Sequence, residues 1–170
     1  MYEIGQQFLY GGHGVCKITA TEVMRSGKGK ATYNVLEPQE QPGTKFFVPV
    51  GNDAAVAKLR PLLTREELLA LLHSNRVRNY PWIEDEGQRK LRFRELITSG
   101  DRESLMGMIG ALLRHRTARL AAGRKFHVSD ENFLQDAQKL LNAEFAQVFG
   151  LKPQEVNRFI QRELKIPIDI

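Results

Sequence analysis

The sequence is poor in the features that mark secreted and membrane proteins. It contains a single cysteine, Cys16, in 170 residues, so no intrachain disulfide can form and a reducing compartment is indicated. No apolar run approaches the roughly 20 residues that a membrane-spanning helix needs. The first residues show no basic segment followed by an apolar one, which a signal peptide would have. These absences predict a soluble protein of the cytoplasm.

Residue patterns typical of enzymes and metal sites are also missing. His13 and Cys16 stand three residues apart, but a metal site would need two further ligands at suitable spacing. His115 and His127 have neither a cysteine nor a paired carboxylate motif beside them. No GxSxG nucleophile elbow and no Ser/His/Asp order of a known hydrolase occurs. We therefore expect no catalytic residue, no metal and no cofactor, and a protein that acts by binding.

Two glycine-rich stretches superficially resemble phosphate-binding loops. GGHG at 11–14 joins two predicted strands and does not lead into a helix, and RSGKGK at 25–30 lacks the GxxxxGK[ST] spacing. Positive φ angles in a tight connection explain Gly11, Gly12 and Gly14 better. The second stretch is better explained as the tip of a hairpin.

The first 50 residues carry the signals of a small β domain. Short runs rich in β-branched and aromatic residues alternate with turn residues: QFLY, VCKITATEV, ATYNVLE and TKFFVPV. Side chains in VCKITATEV alternate as in a half-buried strand. Hairpin-linked strands of this length predict a small, strongly bent sheet or SH3-like barrel, with edge strands open to pairing with another protein. We assign residues 1–60 to this domain.

Residues 61–170 change to a helical period. Thr64 and Glu67 are spaced as a capping box for a first helix, and residues 73–83 break the period as a connector. Further helices are predicted over about 85–98, 102–122 and 130–149, with a short one from Pro153, capped by Asp101 and Ser129 and ended by Gly123 and Gly150. The chain is thus expected to be α+β, with a helical bundle after the β domain.

Apolar positions define the inner faces of these helices. The predicted inward residues are Leu91, Phe93, Leu96 and Ile97 in the second helix, Leu105, Ile109, Leu112, Leu113 and Leu120 in the third, and Phe133, Ala137, Leu140, Leu141, Glu144, Phe145 and Val148 in the fourth. Arg116 continues the stripe of the third helix and is expected at the edge of the core.

The positive charge lies in the middle of the chain. The net charge is +5, and residues 61–130 alone carry thirteen Lys/Arg against nine Asp/Glu. Such a surplus fits phosphate contacts, which give salt-sensitive affinity without sequence preference. It equally fits a salt-bridged helical face, in which Arg89 and Arg92 pair with Asp85 and Glu95 as i,i+4 and i,i+3 neighbours. The charges by themselves leave both interpretations open.

Trp82 is the only tryptophan, and it stands between a proline and an acidic triplet, residues 84–86. A large aromatic side chain in a connector is typically a buried anchor, because it removes much apolar area from water. The neighbouring run of Arg89, Lys90, Arg92 and Arg94 allows a second interpretation, in which the ring meets a partner at the surface.

Four segments together resemble CarD-type (CdnL-like) bacterial transcription regulators. They are IGQQFLYGGHGVCKI, TKFFVPV, WIEDE…FRELITSGDRESL and DENFLQDAQKLLNAEFAQVFGL, and the similarity extends over about residues 2–162. The resemblance implies a Tudor-like N-terminal domain, similar to the polymerase-interacting module of transcription-repair coupling factor, that docks on the β-subunit lobe of RNA polymerase. It also implies a helical domain that contacts promoter DNA at the upstream edge of the bubble and stabilises the open complex without catalysis.

The resemblance also directs attention to particular residues. For the polymerase contact they are Arg25, Lys45, Phe47 and Val48, and for DNA they are Trp82, Arg89, Lys90, Arg114, Arg116, Arg119, Arg124 and Lys125. The indole would wedge into the minor groove beside the basic side chains. The acidic triplet departs from the family pattern and would repel phosphates unless it faces away. The alternative function is a polymerase-binding adaptor that does not touch DNA.

Overall fold

The computed structural model describes residues 2–10 and 13–168, so Gly11 and Gly12 lie outside the described residues. The chain divides into two compact units, residues 1–62 and 63–170. The first holds an antiparallel sheet and the second a set of helices, which confirms the expected α+β class.

The first unit is a five-stranded antiparallel sheet in the order β4-β3-β2-β1-β5. Its strands are β1 Gln7–Tyr10, β2 Val15–Ser26, β3 Gly29–Pro38, β4 Phe46–Pro49 and β5 Leu59–Pro61, with a short helix α1 at Asp53–Val56. β5 and α1 were not predicted, because three or four residues are too few to establish a period. β2 and β3 extend beyond the predicted strands, since the turn at Gly27 lets them pair up to Ser26 and Gly29.

One face of this sheet carries a small apolar core formed by Phe8, Cys16, Ile18, Leu36, Val48 and Leu59. A bulge between Ile18 and Ala20 interrupts the simple alternation expected for β2. Burial raises the pKa of the Cys16 thiol to about 11, so the sulfur is a packing group with little thiolate character. Gly14 has the expected positive φ, at 76°.

The second unit consists of helices joined by short connections. They are α2 Arg65–Leu72, α3 Asn75–Arg78, α4 Glu86–Ser99, α5 Arg102–Ala121, α6 Val128–Phe149 and α7 Val156–Glu163, with a 3-10 turn at Pro153–Glu155 before α7. The Thr64–Glu67 capping box, the Asp101 cap of α5 and the left-handed Gly150 after α6 are confirmed. None of the helices in the described ranges is both long and apolar enough to cross a membrane.

Three details of the helical prediction were wrong. The connector contains the single-turn helix α3, which Ser74 caps through the amide of Val77. α6 begins at Val128 after His127, so Ser129 lies inside the helix. Leu91 and Leu120 are 60% and 47% exposed, because Leu91 lies on the side of α4 opposite its buried residues and Leu120 lies beyond the buried part of α5, residues 104–113.

Helix α5 is the centre of the second unit. Residues 104–113 are all buried, and α5 packs against α2, α3, α4, α6 and α7. Gly107 permits the closest approach: a Cβ atom there would lie 2.3 Å from Cδ2 of Tyr80. The ring of Tyr80 therefore occupies the space above a helix residue that has no side chain.

A buried ion pair joins α5 to α6. Arg102 donates from Nε and Nη2 to the two carboxylate oxygens of Glu144, at 2.7 and 2.9 Å, and the amide of Leu63 donates to the same carboxylate at 3.1 Å. Glu144 is fully buried. These three donors explain why a glutamate stands in the apolar stripe of α6, since a buried carboxylate needs such partners.

The contact at Gly107 leads to a stability prediction. Gly107→Ala should lower the free energy of unfolding by about 1–3 kcal/mol, because the Tyr80 ring must move out of a tightly packed position. The matched control is Gly87→Ala in α4, where the added Cβ meets only Oδ1 of Asp85 at 3.4 Å. This control should be neutral or stabilising by up to about 1 kcal/mol. Chemical denaturation of both variants measures the difference, and equal effects would contradict the packing argument.

Candidate nucleic-acid interface and protein-docking edge

Strand β4 forms one edge of the sheet and leaves part of its backbone unpaired by β3. The amide of Val50 donates to the carbonyl of Thr32 at 2.9 Å, and the register pairs Phe47 with Val35 and Pro49 with Tyr33. Hydrogen-bonded and non-hydrogen-bonded pairs alternate in an antiparallel ladder. The N–H and C=O of Phe47 therefore point away from β3, towards the side of β4 with which no strand of the described residues pairs. Proline at 49 fits the same alternation, because its missing N–H would also face outward.

The residues suggested for a protein contact in this unit differ in exposure. Arg25 and Lys45 are exposed, and Phe47 is 42% exposed. Val48 is 1% exposed and belongs to the core, so its suggested role as a contact residue is corrected: its side chain cannot reach a partner. The alternation of β4 places Phe47 and Val48 on opposite faces of the sheet.

Trp82 lies half-buried in the irregular segment between α3 and α4. Its ring stacks on the imidazole of His115 of α5, with centroids 3.9 Å apart and planes at 14°, and it meets the edge of Phe93 of α4 at 6.3 Å. The guanidinium carbon of Arg89 lies 4.7 Å from the ring centre. The indole thus packs on the helical core, as the anchor interpretation predicts, and part of its ring remains exposed. Contact of the ring with a partner stays a prediction.

Arg89 is a buried residue of this site, with 4% exposure. It pairs with Asp130 of α6, and it did not take the predicted partner Asp85. Asp85 instead caps α4 by accepting from the amide of Gln88. Because phosphates cannot reach a side chain enclosed in this way, the suggested DNA contact of Arg89 is corrected. The predicted pair of Arg92 with Glu95 is present, at 3.2 Å.

The acidic triplet has structural partners that explain its position. Asp85 is the cap of α4, and the carboxylate of Glu86 lies 3.0 Å from Nζ of Lys90. The pair with Lys90 holds the pKa of Glu86 below its usual range. The backbone carbonyl of Glu84 accepts from Arg89. Much of the negative charge beside Trp82 is therefore matched by a neighbouring cation or by a helix N-terminus.

The basic candidates on and after α5 do not all lie on one side of the helix. Arg119 donates from Nε to the carbonyl of Lys125 at 2.6 Å, which fixes the turn that presents the exposed Arg124 and Lys125. Arg114 instead lies on the side of α5 that faces the end of α7. The evidence is the surroundings of Gly110, one turn earlier on α5: a Cβ atom added there would lie 3.0 Å from Leu164, which follows α7, and 3.5 Å from a guanidinium nitrogen of Arg114. Burial lowers the pKa of Arg114.

Arg116 is half-buried, as expected for the edge of the core, and its Nε has no hydrogen-bond partner among the described residues. Arg119 is close enough to His115 to lower its pKa. The structure therefore brings the turn at 119–125 and the Trp82–His115 stack to one end of α5, whereas Arg114 faces elsewhere.

Two residues of this site were not singled out as its members by sequence reasoning. His115 follows Arg114 on the helix, and Asp130 is distant from Arg89 in the chain. The i,i+4 spacing of His115 and Arg119 places them on one side of α5. Nothing in the local sequence around Asp130 indicates its partner, because the pair joins residues 41 positions apart.

The Trp82–His115 stack gives a prediction for pH. Desolvation is the largest influence on the pKa of His115 and lowers it. Asp130 opposes this shift, Arg119 and Arg89 lower the pKa further, and Glu84 has a small raising effect, so the net direction is down. The folded protein should therefore keep the imidazole neutral below the ordinary histidine pKa of about 6.5. Stability from this group should be fully present above that value and be lost as pH falls through the lowered pKa, since the unfolded chain binds the proton first.

The emission of Trp82 provides the measurement, because it is the only tryptophan. Protonation of a stacked imidazole changes the emission of the indole, and the midpoint should lie below about 6.5. The His115→Gln variant should lose this transition, and His127→Gln is the control that should keep it. A midpoint at or above the ordinary value would contradict the prediction.

Comparison with known proteins identifies the first unit. Residues 2–62 match the family model of the CarD-like/TRCF RID domain, which comprises RNA-polymerase-interacting regulatory domains and not enzymes. No curated protein matches the chain significantly. The matched range spans the first unit from Tyr2 to its last residue, Leu62. Residues 2–62 therefore belong to the CarD-like/TRCF RID family of RNA-polymerase-interacting domains.

Proposed function

We propose that this protein is a non-enzymatic regulator of bacterial transcription that acts in the cytoplasm. Its first unit, a Tudor-like or SH3-like barrel in this proposal, binds the β-subunit lobe of RNA polymerase. Its second unit contacts promoter DNA near the upstream edge of the melted region and stabilises the open complex. The observation that carries the proposal is the match of residues 2–62 to an RNA-polymerase-interacting domain family.

The open edge of β4 supports docking by strand addition. The N–H and C=O of Phe47 face outward, and the exposed Phe47 and Lys45 side chains flank this edge. An added strand would use these backbone groups for affinity and the side chains for specificity. The edge strand has only four residues and contains Pro49, which limits pairing with other copies of this chain.

The site around Trp82 supports the DNA contact. The half-buried indole stacks on His115, whose ring is 6.2 Å from that of Phe126 in the turn after Arg119. Arg119, Arg124 and Lys125 of this turn would bind phosphates while the exposed part of the ring enters the minor groove. Insertion of a ring costs on the order of a few kcal/mol of unstacking per step. Distorted DNA at the edge of a bubble has already lost part of that stacking, so a wedge there opposes closure of the duplex.

Attachment to the polymerase compensates for a weak DNA contact. Linked binding modules meet their second site at an effective concentration of about millimolar when a short linker spans the distance. A net charge of +5 can then be sufficient, although a freely diffusing DNA-binding protein would need more phosphate contacts.

The adaptor alternative has one observation in its favour. Trp82 already packs on His115 and Phe93, and the exposed Glu84 lies two residues away from it. A ring held in this way can be a structural anchor only. In that case the protein would bind polymerase and recruit or block another protein, without touching DNA.

The docking edge yields a prediction that separates backbone from side-chain contacts. Phe47→Pro removes an N–H that does not bond to β3, so the fold should remain. Binding to a fragment of the polymerase β lobe should fall at least about tenfold, because one interface hydrogen bond contributes roughly 1.4 kcal/mol. Phe47→Ala keeps the N–H and should bind more tightly than the proline variant. Titration by fluorescence anisotropy with a labelled β-lobe fragment measures both.

Two controls accompany this experiment. Pro61→Ala changes the opposite edge of the sheet, at β5, and should leave the affinity unchanged. Circular dichroism tests that each variant is folded. Equal affinity of Phe47→Pro and the wild type, with both folded, would exclude strand addition at β4.

The DNA contact is tested with Trp82→Ala in the full chain. The variant should shorten the lifetime of open complexes challenged with competitor, because the ring no longer opposes closure, while the affinity for polymerase stays unchanged. Leu91→Ala, which shortens an exposed apolar side chain of α4, is the matched control and should behave as wild type. Lowered thermal stability of Trp82→Ala with an unchanged open-complex lifetime would favour the adaptor alternative.

Salt dependence distinguishes the two functions independently. Contact with phosphates predicts that affinity for forked promoter DNA falls steeply as salt rises. Removing Lys125, as Lys125→Ala, should reduce the slope of log K against log salt by about 1. A flat salt dependence would favour the adaptor.

A further inference from the structure

One buried side chain connects the segment that carries Trp82 to helix α6. Nη1 of Arg89 donates to the carbonyls of Ile83 at 2.9 Å and Glu84 at 3.2 Å, the two residues that follow Trp82. Nε and Nη2 donate to the two carboxylate oxygens of Asp130, at 3.0 and 3.2 Å. The guanidinium also lies over the indole, with its carbon 4.7 Å from the ring centre.

These contacts hold a segment of the chain that has no regular secondary structure. Residues 80–84 between α3 and α4 belong to no helix or strand, so regular backbone hydrogen bonds do not hold the indole. The planar guanidinium satisfies the two-oxygen geometry of Asp130 and the two carbonyls at once, which a lysine ammonium cannot do. Because the charged atoms of Arg89 and Asp130 are buried, water does not compete for these hydrogen bonds.

We propose that the Arg89–Asp130 pair is a positioning device, which holds the indole of Trp82 in the orientation in which it meets DNA. This proposal rests on the DNA contact proposed above. The pair fixes both the backbone after Trp82 and the plane of its ring before DNA arrives. The protein then loses little conformational freedom at this site on binding, and preorganisation of this kind increases affinity. Arg89 is thus a positioning residue, and Trp82 is the residue that touches DNA.

The test replaces both partners in the full chain, as Arg89→Met together with Asp130→Leu. Apolar replacement of a complete buried ion pair leaves no unpaired charge and is commonly tolerated, so the thermal midpoint should remain close to that of the wild type. The carbonyls of Ile83 and Glu84 lose their donor, however. The emission anisotropy of Trp82 should therefore fall and its quenching by acrylamide should rise.

The functional readout is the lifetime of the open complex. The double variant should shorten it by the same factor as Trp82→Ala, and adding Trp82→Ala to the double variant should produce no further loss. Affinity for polymerase should not change. Arg92→Met on the same helix α4, which removes an exposed pair with Glu95, is the matched control and should leave both emission and lifetime as in the wild type.

The outcomes separate this proposal from the one on which it rests. An unchanged anisotropy and quenching in the folded double variant would overturn the positioning role, and so would a normal open-complex lifetime where Trp82→Ala shortens it. Failure of the DNA contact itself would appear in Trp82→Ala alone, as an unchanged lifetime. If the double variant does not fold, Arg89→Lys keeps the charge without the fork of donors, and the same increase in indole mobility is expected of it.

Discussion

The burial of helix α5 is the constraint on which the second unit depends. Its first half presents apolar side chains on every side, including Met106, Ile109 and Leu113, and burying each contributes about 1.5–3 kcal/mol. Such a helix must be surrounded, and α2, α3, α4, α6 and α7 all pack against it. Its second half extends beyond this core and carries His115 and Arg119. The same helix thus supplies the centre of the second unit and one side of the candidate nucleic-acid interface.

Two buried ion pairs join neighbouring elements around this core. Arg102 and Glu144 connect α5 with α6 and hold the amide of Leu63, at the start of the unit. Arg89 and Asp130 connect α4 with α6 beside Trp82. Ion pairs in a protein interior are a poor source of stability, since desolvation offsets much of the attraction. Their requirement for complete sets of partners instead favours one arrangement of the chain over others, in agreement with the positioning role proposed for Arg89 and Asp130.

The candidate interfaces of the two units differ in how far they depend on particular side chains. The sheet of the first unit has a core of only a few side chains, and the docking proposed for it would use backbone groups at the β4 edge, which any non-proline residue supplies. The Trp82 site depends on the identity and geometry of individual side chains from α4, α5 and α6. The family match covers residues 2–62, within the first unit, and does not include the Trp82 site.

The sequence by itself determined the β-then-helical order, the capping box at Thr64, the Asp101 cap and the end of α6 at Gly150, because all of these follow from neighbours within a few residues. It also made Trp82 conspicuous as the only tryptophan. Only the tertiary structure decided that Arg89 is buried against Asp130, that Val48 faces the core and that Arg114 lies apart from Arg119. These outcomes depend on contacts between residues far apart in the chain, and local spacing carries no information about such contacts.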